Sequence, residues 1–156
     1  FDNGRGGSER AMVLLARDIM DPTVVTVDAA ADVRACARRL AERHKGYAIV
    51  QEGTEIVGIV TEWDFLSKVL AEGIDPTTVR VRAIATPTVR SCAPDTPAED
   101  LIQTMATEGI RRIVVRDGPR VVGIVTSRDV LAMFRPYVDK LSRQIAGYHS
   151  DPMPLG

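Results

Sequence analysis

The feature that most constrains this chain is an internal repeat: Gly58-Ile59-Val60-Thr61-Glu62-Trp63-Asp64 returns as Gly123-Ile124-Val125-Thr126-Ser127-Arg128-Asp129, 65 positions later. At that offset the chain aligns on itself without a gap, from Arg17 on Arg82 to Leu66 on Leu131. Identical pairs include Ile19/Ile84, Pro22/Pro87, Thr23/Thr88, Val24/Val89, Ala41/Ala106, Val50/Val115, Gly53/Gly118 and Val57/Val122. Packing and turns explain most of these, whereas Thr61/Thr126 and Asp64/Asp129 are polar matches that a fold alone does not require. In each copy an apolar β-branched run reads as a buried strand leading into a helix start. There the Thr would sit at the strand exit and the Asp in the first helical turn, where unpaired N–H groups favour oxygen ligands. For one copy alone, an N-cap with an acidic first turn would be explanation enough.

The periodicity over one copy predicts strand Val24–Val27, helix Asp32–His44 stopped by Gly46, hairpin Tyr47–Val50 and Glu55–Val60, and helix Glu62–Ala71. A helix over Glu9–Met20 precedes it, with Met12, Leu14, Leu15 and Ile19 on one face. The second copy repeats the order with strand Val89–Cys92, helix Ala98–Glu108, strands Arg112–Val115 and Arg120–Val125 turned by Asp117-Gly118-Pro119, and a helix from Arg128. The domain division expected is a tail over 1–8, a first repeat over 9–75, a second over 76–137 and a helical extension with tail over 138–156. In that extension Val130, Leu131, Met133, Phe134, Tyr137, Val138, Leu141, Ile145 and Tyr148 continue an apolar stripe, with a bend expected near Pro136. The stripe needs a partner, either its own domain or a second subunit. Asp151–Pro154 is expected to be disordered.

Composition narrows the function classes. With 20 basic and 21 acidic residues the net charge is −1, so no global field draws in nucleic acid or an anionic membrane. No apolar run approaches the roughly 20 residues of a membrane span. Cys36 and Cys92 lack metal or redox spacing and read as buried free thiols, which suits a reducing cytoplasm. His44 and His149 stand near no other ligand at metal spacing, so no metal site is expected. The basic cluster Arg38, Arg39, Arg43, His44 and Lys45, with Arg111 and Arg112 at the matching point, reads as a solvated helix end rather than a nucleic-acid contact. Thr61, Asp64, Ser127 and Asp129 lack a paired base, so enzymatic activity is not expected.

Two tandem strand-helix-strand-strand-helix units closing on Gly-Ile-Val-Thr-x-x-Asp, led by Asp18-Ile19-Met20, closely resemble a pair of CBS domains, the Bateman module, over about Ala16–Tyr137. The chain departs from that family's frequent proline at Ala48 and Ile113, and has Ile84-Ala85 where the first copy has Ile19-Met20. The resemblance implies an α+β fold in which two repeats pack sheet to sheet as a pseudo-twofold body. It also implies two clefts for an adenosine ligand such as AMP, ADP, ATP or S-adenosylmethionine, no required cofactor, and association into a homodimer. In each cleft an aspartate would accept from ribose hydroxyls, a Thr hydroxyl and helix N–H groups would meet phosphate, and apolar strand residues would enclose the adenine. The first cleft would join Met20, Asp21, Val25, His44 and Lys45 to Ile124, Thr126, Arg128 and Asp129. The second would join Ile59, Thr61, Trp63 and Asp64 to Thr86, Arg90, Gly109 and Ile110. Arg128 can pair with phosphate where the second cleft offers Trp63, so the first is the favoured nucleotide site. The function implied is a regulatory module that does no chemistry and signals through its halves, its dimer or an effector protein. The alternative is a dimerisation or docking module with unoccupied clefts.

Overall fold

The computed structural model describes residues 13–87 and 89–148. The tail expected at 1–8, Met12, Thr88, His149, the segment Asp151–Pro154 and the side chains of Tyr137 and Tyr148 lie outside the described residues. The first repeat comprises α1 (Ala16–Ile19), β1 (Thr26–Asp28), α2 (Val33–Arg43), β2 (Tyr47–Glu52), β3 (Glu55–Thr61) and α3 (Glu62–Phe65), which continues through a wide π turn over Leu66–Leu70. The second comprises α4 (Val81–Ile84), β4 (Ser91–Cys92), α5 (Ala98–Glu108), β5 (Arg112–Asp117), β6 (Arg120–Thr126) and α6 (Ser127–Tyr148). Each repeat builds a three-stranded sheet in which the first strand pairs parallel with the second, and the second antiparallel with the third. The register repeats too: Tyr47 opposes Thr61 and Arg112 opposes Thr126, and both hairpins carry a bulge one residue past Val50 or Val115.

Three apolar clusters hold the body together. Val33, Cys36 and Leu40 of α2 pack with Val50, Val60 and Val69 on the outer face of the first sheet. Leu101 and Met105 of α5 pack with Ile113, Val115, Val125 and Val130 in the second repeat. The third cluster joins the two sheets, with Ile49 and Ile59 of one against Val114 and Ile124 of the other. The sheets therefore share a core, as expected of each apolar face.

The leading helices are exchanged between repeats. Val81 and Ile84 of α4 belong to the first repeat's core, and Ala16 of α1 to the second's. Backbone bonds fix the exchange: Val81 N–H donates to Ala31 C=O at 2.9 Å, and Ala16 N–H to Thr96 C=O at 2.8 Å. The segment after each helix then lies along the other repeat's last strand. Asp21 and Ile124 exchange both backbone bonds (2.8 and 3.1 Å), as do Thr86 and Ile59 (2.9 and 3.0 Å). At the far end Arg116 donates from the second hairpin to Thr54 C=O in the first.

This exchange explains where the observed elements differ from expectation. Of the helix expected over Glu9–Met20, residues 9–12 lie outside the described residues, and the described part is helical at Ala16–Ile19. Leu14 and Leu15 are extended because they pair with the other repeat, Leu14 C=O accepting from Ala98 N–H at 2.8 Å, and the Asp18 carboxylate accepts Leu15 N–H at 2.8 Å. The strands expected at Val24–Val27 and Val89–Cys92 are shorter and begin later, at Thr26 and Ser91. Helix α2 begins where expected, with Asp32 as N-cap accepting Ala35 N–H at 2.8 Å. It also ends where expected, with Arg43 its last residue and His44 as C-cap, but the stop is His44 itself in the left-handed conformation (φ 53°) and not Gly46. Gly109 fills the equivalent place in the second repeat with φ 65°. That conformation is cheap for glycine and strained for histidine. Helix α6 starts one residue early, at Ser127, and runs on through Pro136.

Gly58 and Gly123 lie where the exchanged segments cross. A Cβ on Gly58 would stand 2.5 Å from the Thr86 carbonyl oxygen and 3.1 Å from Ala85 Cβ, so the backbone itself would have to shift. On Gly123 it would meet the thioether of Met20 at 2.5 Å, a side chain that can rotate away, with the Asp21 carbonyl at 3.1 Å. Gly58→Ala should therefore destabilise by about 1–3 kcal/mol, the usual cost of overpacking, and Gly123→Ala by less. Urea midpoints read this directly, and an unchanged midpoint for Gly58→Ala would contradict the close crossing.

Candidate functional site: two clefts lined by both repeats

The repeated Thr-x-x-Asp is a capping box in both copies. Asp64 Oδ2 accepts Thr61 N–H at 2.8 Å and its hydroxyl at 3.2 Å, while Asp129 Oδ2 accepts both from Thr126 at 2.8 Å. The hydroxyl of Thr126 also accepts Asp129 N–H at 3.3 Å. One carboxylate oxygen of each pair is thus spent on starting the helix. The copies differ at the other oxygen. Asp64, 6% exposed, holds Lys68 one turn on, with Nζ 2.9 Å from Oδ1. Met133 takes the place of Lys68 in the second copy, and Asp129 has no ion pair among the described residues.

Two cavities open at these helix starts, each walled by both repeats. The second cleft, about 350 Å³, is lined by all eight residues expected there: Ile59, Thr61, Trp63 and Asp64 with Thr86, Arg90, Gly109 and Ile110. Val89, Glu108, Arg111 and Arg112 complete it. Arg90 is engaged by Glu108, with Nε 2.7 Å from Oε2 and a second contact from its terminal nitrogen to Oε1. Each partner holds the other's charge, raising the Arg90 pKa and lowering that of Glu108.

The first cleft, about 560 Å³, is assembled from a different subset of the expected residues. His44, Lys45, Thr126 and Arg128 line it, together with Gly46, Tyr47, Glu62, Arg111, Arg112 and Ser127. Both volumes fall in the roughly 300–1,000 Å³ of small-molecule sites. Met20, Asp21, Val25, Ile124 and Asp129 are not on this wall. Val25 (2% exposed) packs in the first repeat's core and Ile124 (0%) between the sheets, so neither forms an apolar face of the cavity. Met20 packs beside the second core, against Gly123. Asp129 stands behind Thr126, and Asp21 reaches the wall only through Lys45, whose Nζ lies 2.6 Å from Oδ2, and Tyr47, whose hydroxyl donates to it at 3.4 Å.

Burial pushes the Asp21 carboxyl up, but the Lys45 ammonium and the hydroxyl and N–H of Thr23 outweigh it and hold the pKa at about 2. A carboxyl lowered from 3.8 stabilises the fold above pH 4, and that contribution fades as the pH falls from about 4 to 2. Lys45→Met should flatten the stability slope in that window. Urea midpoints measured from pH 5 to 2 would show it, and equal slopes for parent and variant would contradict the assignment. Burial, with Asp21 and Asp129 adding to it, raises the Tyr47 hydroxyl far above its ordinary range, so it remains a donor.

The residues not expected on the walls are Gly46, Tyr47, Glu62, Ser127, Val89 and Glu108, together with Arg111 and Arg112, which read from sequence as a solvated basic end. Tyr47 and Arg112 occupy equivalent positions in the two repeats, and the Arg112 guanidinium lies 5.9 Å from the Tyr47 ring centroid. Equivalent residues meet where the pseudo-twofold axis passes, which is why Arg111 and Arg112 face both cavities. The 65-residue offset carried that signal, since it pairs Tyr47 with Arg112.

Among the described residues no group of His, Cys, Asp and Glu could hold a metal ion, and no helix is long and apolar enough to cross a membrane. Cys36 and Cys92 are free; burial pushes the Cys36 thiol up to about 11 and raises that of Cys92, which is half-buried rather than buried. The four arginines of α2 line a shallow depression in which Asp32 and Glu42 alternate with them, as on a solvated face.

The CBS domain family model matches residues 16–71 and 81–135. The chain belongs to the CBS domain family, with two repeats. It is 32% identical over 133 residues, 81% of its length, to the L-aspartate semialdehyde sulfurtransferase of Methanosarcina acetivorans, of which it spans only 26%. It covers less than half of another curated relative as well. Among solved structures, the hexameric CBS-CP12 protein from bloom-forming cyanobacteria superposes with a TM-score of 0.67 at 36% identity, over 77% of this chain and 67% of that one. The CBS domain pair of protein MJ0100, solved with 5′-methylthioadenosine and S-adenosyl-L-methionine, superposes with a TM-score of 0.67 at 28% identity, over 80% and 98%.

Proposed function

We propose that this chain is a regulatory module that binds an adenosine compound, AMP, ADP, ATP or S-adenosylmethionine, in its clefts and signals by rearranging its repeats or its dimer. The observation that carries the reading is the first cleft's helix start. There Asp129, off the wall but bound through Oδ2 to the wall residue Thr126, has no lysine one turn on to claim its other oxygen, and Arg128 stands on the wall of a 560 Å³ cavity. Ribose hydroxyls suit the former and phosphate the latter. The adenosyl compounds named for the MJ0100 domain pair support the ligand class. Asp64, held by Lys68, and Arg90, held by Glu108, make the second cleft the weaker site. We take 9–75 and 76–137 as the functional repeats, 138–156 as the extension, and a reducing cytoplasm as the setting.

A thermal-shift panel of AMP, ADP, ATP, S-adenosylmethionine and GTP tests the reading. A specific ligand at a hundred times its dissociation constant adds about 2.7 kcal/mol. The adenosine compounds should raise the melting temperature and GTP should not; no shift from any of them would favour a docking module.

A specific observation favours association. Leu131, Phe134, Val138 and Leu141 are 69, 44, 53 and 40% exposed along α6, and Trp63, Leu66 and Leu70 are 69, 49 and 72% exposed on the equivalent helix of the first repeat. Such patches mark interfaces. The chain should be a homodimer in light scattering at tens of micromolar, and a 17.0 kDa monomer there would contradict it.

A further inference from the structure

Arg111 and Arg112 line both clefts. Arg112 opens β5 at the pseudo-twofold axis, and Arg111 just before it is fixed there through its carbonyl, which accepts Ser127 N–H at 2.9 Å at the start of α6. The other cations are distributed unequally. In the second cleft Arg90 is taken by Glu108, and Lys68, off its wall, is turned to Asp64 and to Ile84 C=O at 2.8 Å. Arg111 and Arg112 are then the only basic side chains on that wall without a carboxylate partner among the described residues. The first cleft has the same two arginines and Arg128 besides.

Resting on the ligand class proposed above, we infer that the two clefts compete for one phosphate-binding ridge, Arg111–Arg112, so that a phosphorylated adenosine ligand in one weakens a second in the other. The first cleft can hold phosphate with Arg128 and draw on the ridge. The second has nothing else to neutralise phosphate, and its ligand would face both a claimed pair of arginines and the first ligand's negative charge at short range. Adenosine, which carries no anionic group, uses neither arginine, so it fills the clefts independently. The module would respond to phosphorylated ligands mainly through its first cleft.

Calorimetry can separate this coupling from a plain difference between sites. Asp129→Ala weakens the first cleft at least tenfold, so the tighter ATP step in that variant reports the second cleft with the first empty, whereas the parent's second binding step reports it with the first filled. The second cleft should bind ATP at least tenfold more tightly in Asp129→Ala than in the parent's second step, and adenosine equally in both. Asp64→Ala should leave the first cleft's ATP affinity at the parent's first-step value, because in both proteins that step takes place with the second cleft empty. The double variant Arg111→Gln/Arg112→Gln should weaken ATP in both steps and leave adenosine unchanged. Equal ATP affinities in the Asp129→Ala comparison, or a loss confined to one step in the arginine variant, would overturn the inference. Failure of the parent to bind any adenosine compound would instead overturn the ligand class.

Discussion

Residues 1–75 and 76–156, produced separately, should aggregate or remain unfolded. The cut removes Val81 and Ile84, 0 and 5% exposed, from the first repeat's core, and Ala16, 0% exposed, from the second's. It also bares the inner faces carrying Ile49 and Ile59 on one side, Val114 and Ile124 on the other. Burial of one aliphatic side chain contributes about 1.5–3 kcal/mol. A few such losses match the entire net stability of an ordinary domain, about 5–15 kcal/mol. Each half also loses the backbone partners on its exposed strand, since Ile59 and Ile124 would face water instead of Thr86 and Asp21. Mixing the halves should restore a folded complex, because every lost contact lies between them. Circular dichroism and light scattering decide it, and two monomeric halves with sharp independent melts would contradict the exchanged architecture.

Asp129→Ala should lower adenosine-nucleotide affinity at least tenfold, which corresponds to about 1.4 kcal/mol. A charge-assisted hydrogen bond contributes roughly 1.5–3 kcal/mol when its loss leaves a partner unsatisfied. Asp64→Ala should cost less, because Lys68 already competes for Oδ1 and the carboxylate is 6% exposed. Arg128→Ala should weaken AMP and ATP while sparing adenosine, which offers it no phosphate. Both aspartates cap helices, so circular dichroism must confirm the fold before titration calorimetry is read. Equal losses from the two aspartate variants would reverse the ranking of the clefts.

The architecture was legible because its signal is redundant. Strand, hairpin and helix positions recur at one offset, and Asp32 and the Gly53 and Gly118 turns punctuate them with ordinary chemistry. The exchange of α1 and α4 was not legible. Periodicity put Leu14, Leu15 and Ile19 on one apolar face, but which repeat that segment meets is a long-range choice, and pairing with Ala98 and Pro97 turned Leu14 and Leu15 from helix to extended chain and left Leu14 exposed. His44 was missed as a helix stop because glycine is the usual left-handed residue, although Gly109 at the equivalent position carried the hint.

At the site, the second cleft's residues assembled as a set because all lie on segments that the repeat fixes. In the first, Val25 and Ile124 could equally serve a wall or a core, and burial between layers chose the core. The partners that distinguish the two aspartates are single substitutions, Lys68 against Met133, which matter only once helical spacing sets them one turn beyond the carboxylate. Arg111 and Arg112 acquire meaning from the axis, which no single copy of the repeat displays.

The most direct measurement is a crystal structure of the chain grown with whichever adenosine compound gives the largest thermal shift. The ligand should lie in the first cleft, with its ribose hydroxyls on Asp129 and, for a nucleotide, its phosphates on Arg128 with Arg111–Arg112. A ligand seated away from Asp129 and Arg128, with the first cleft empty, would contradict it.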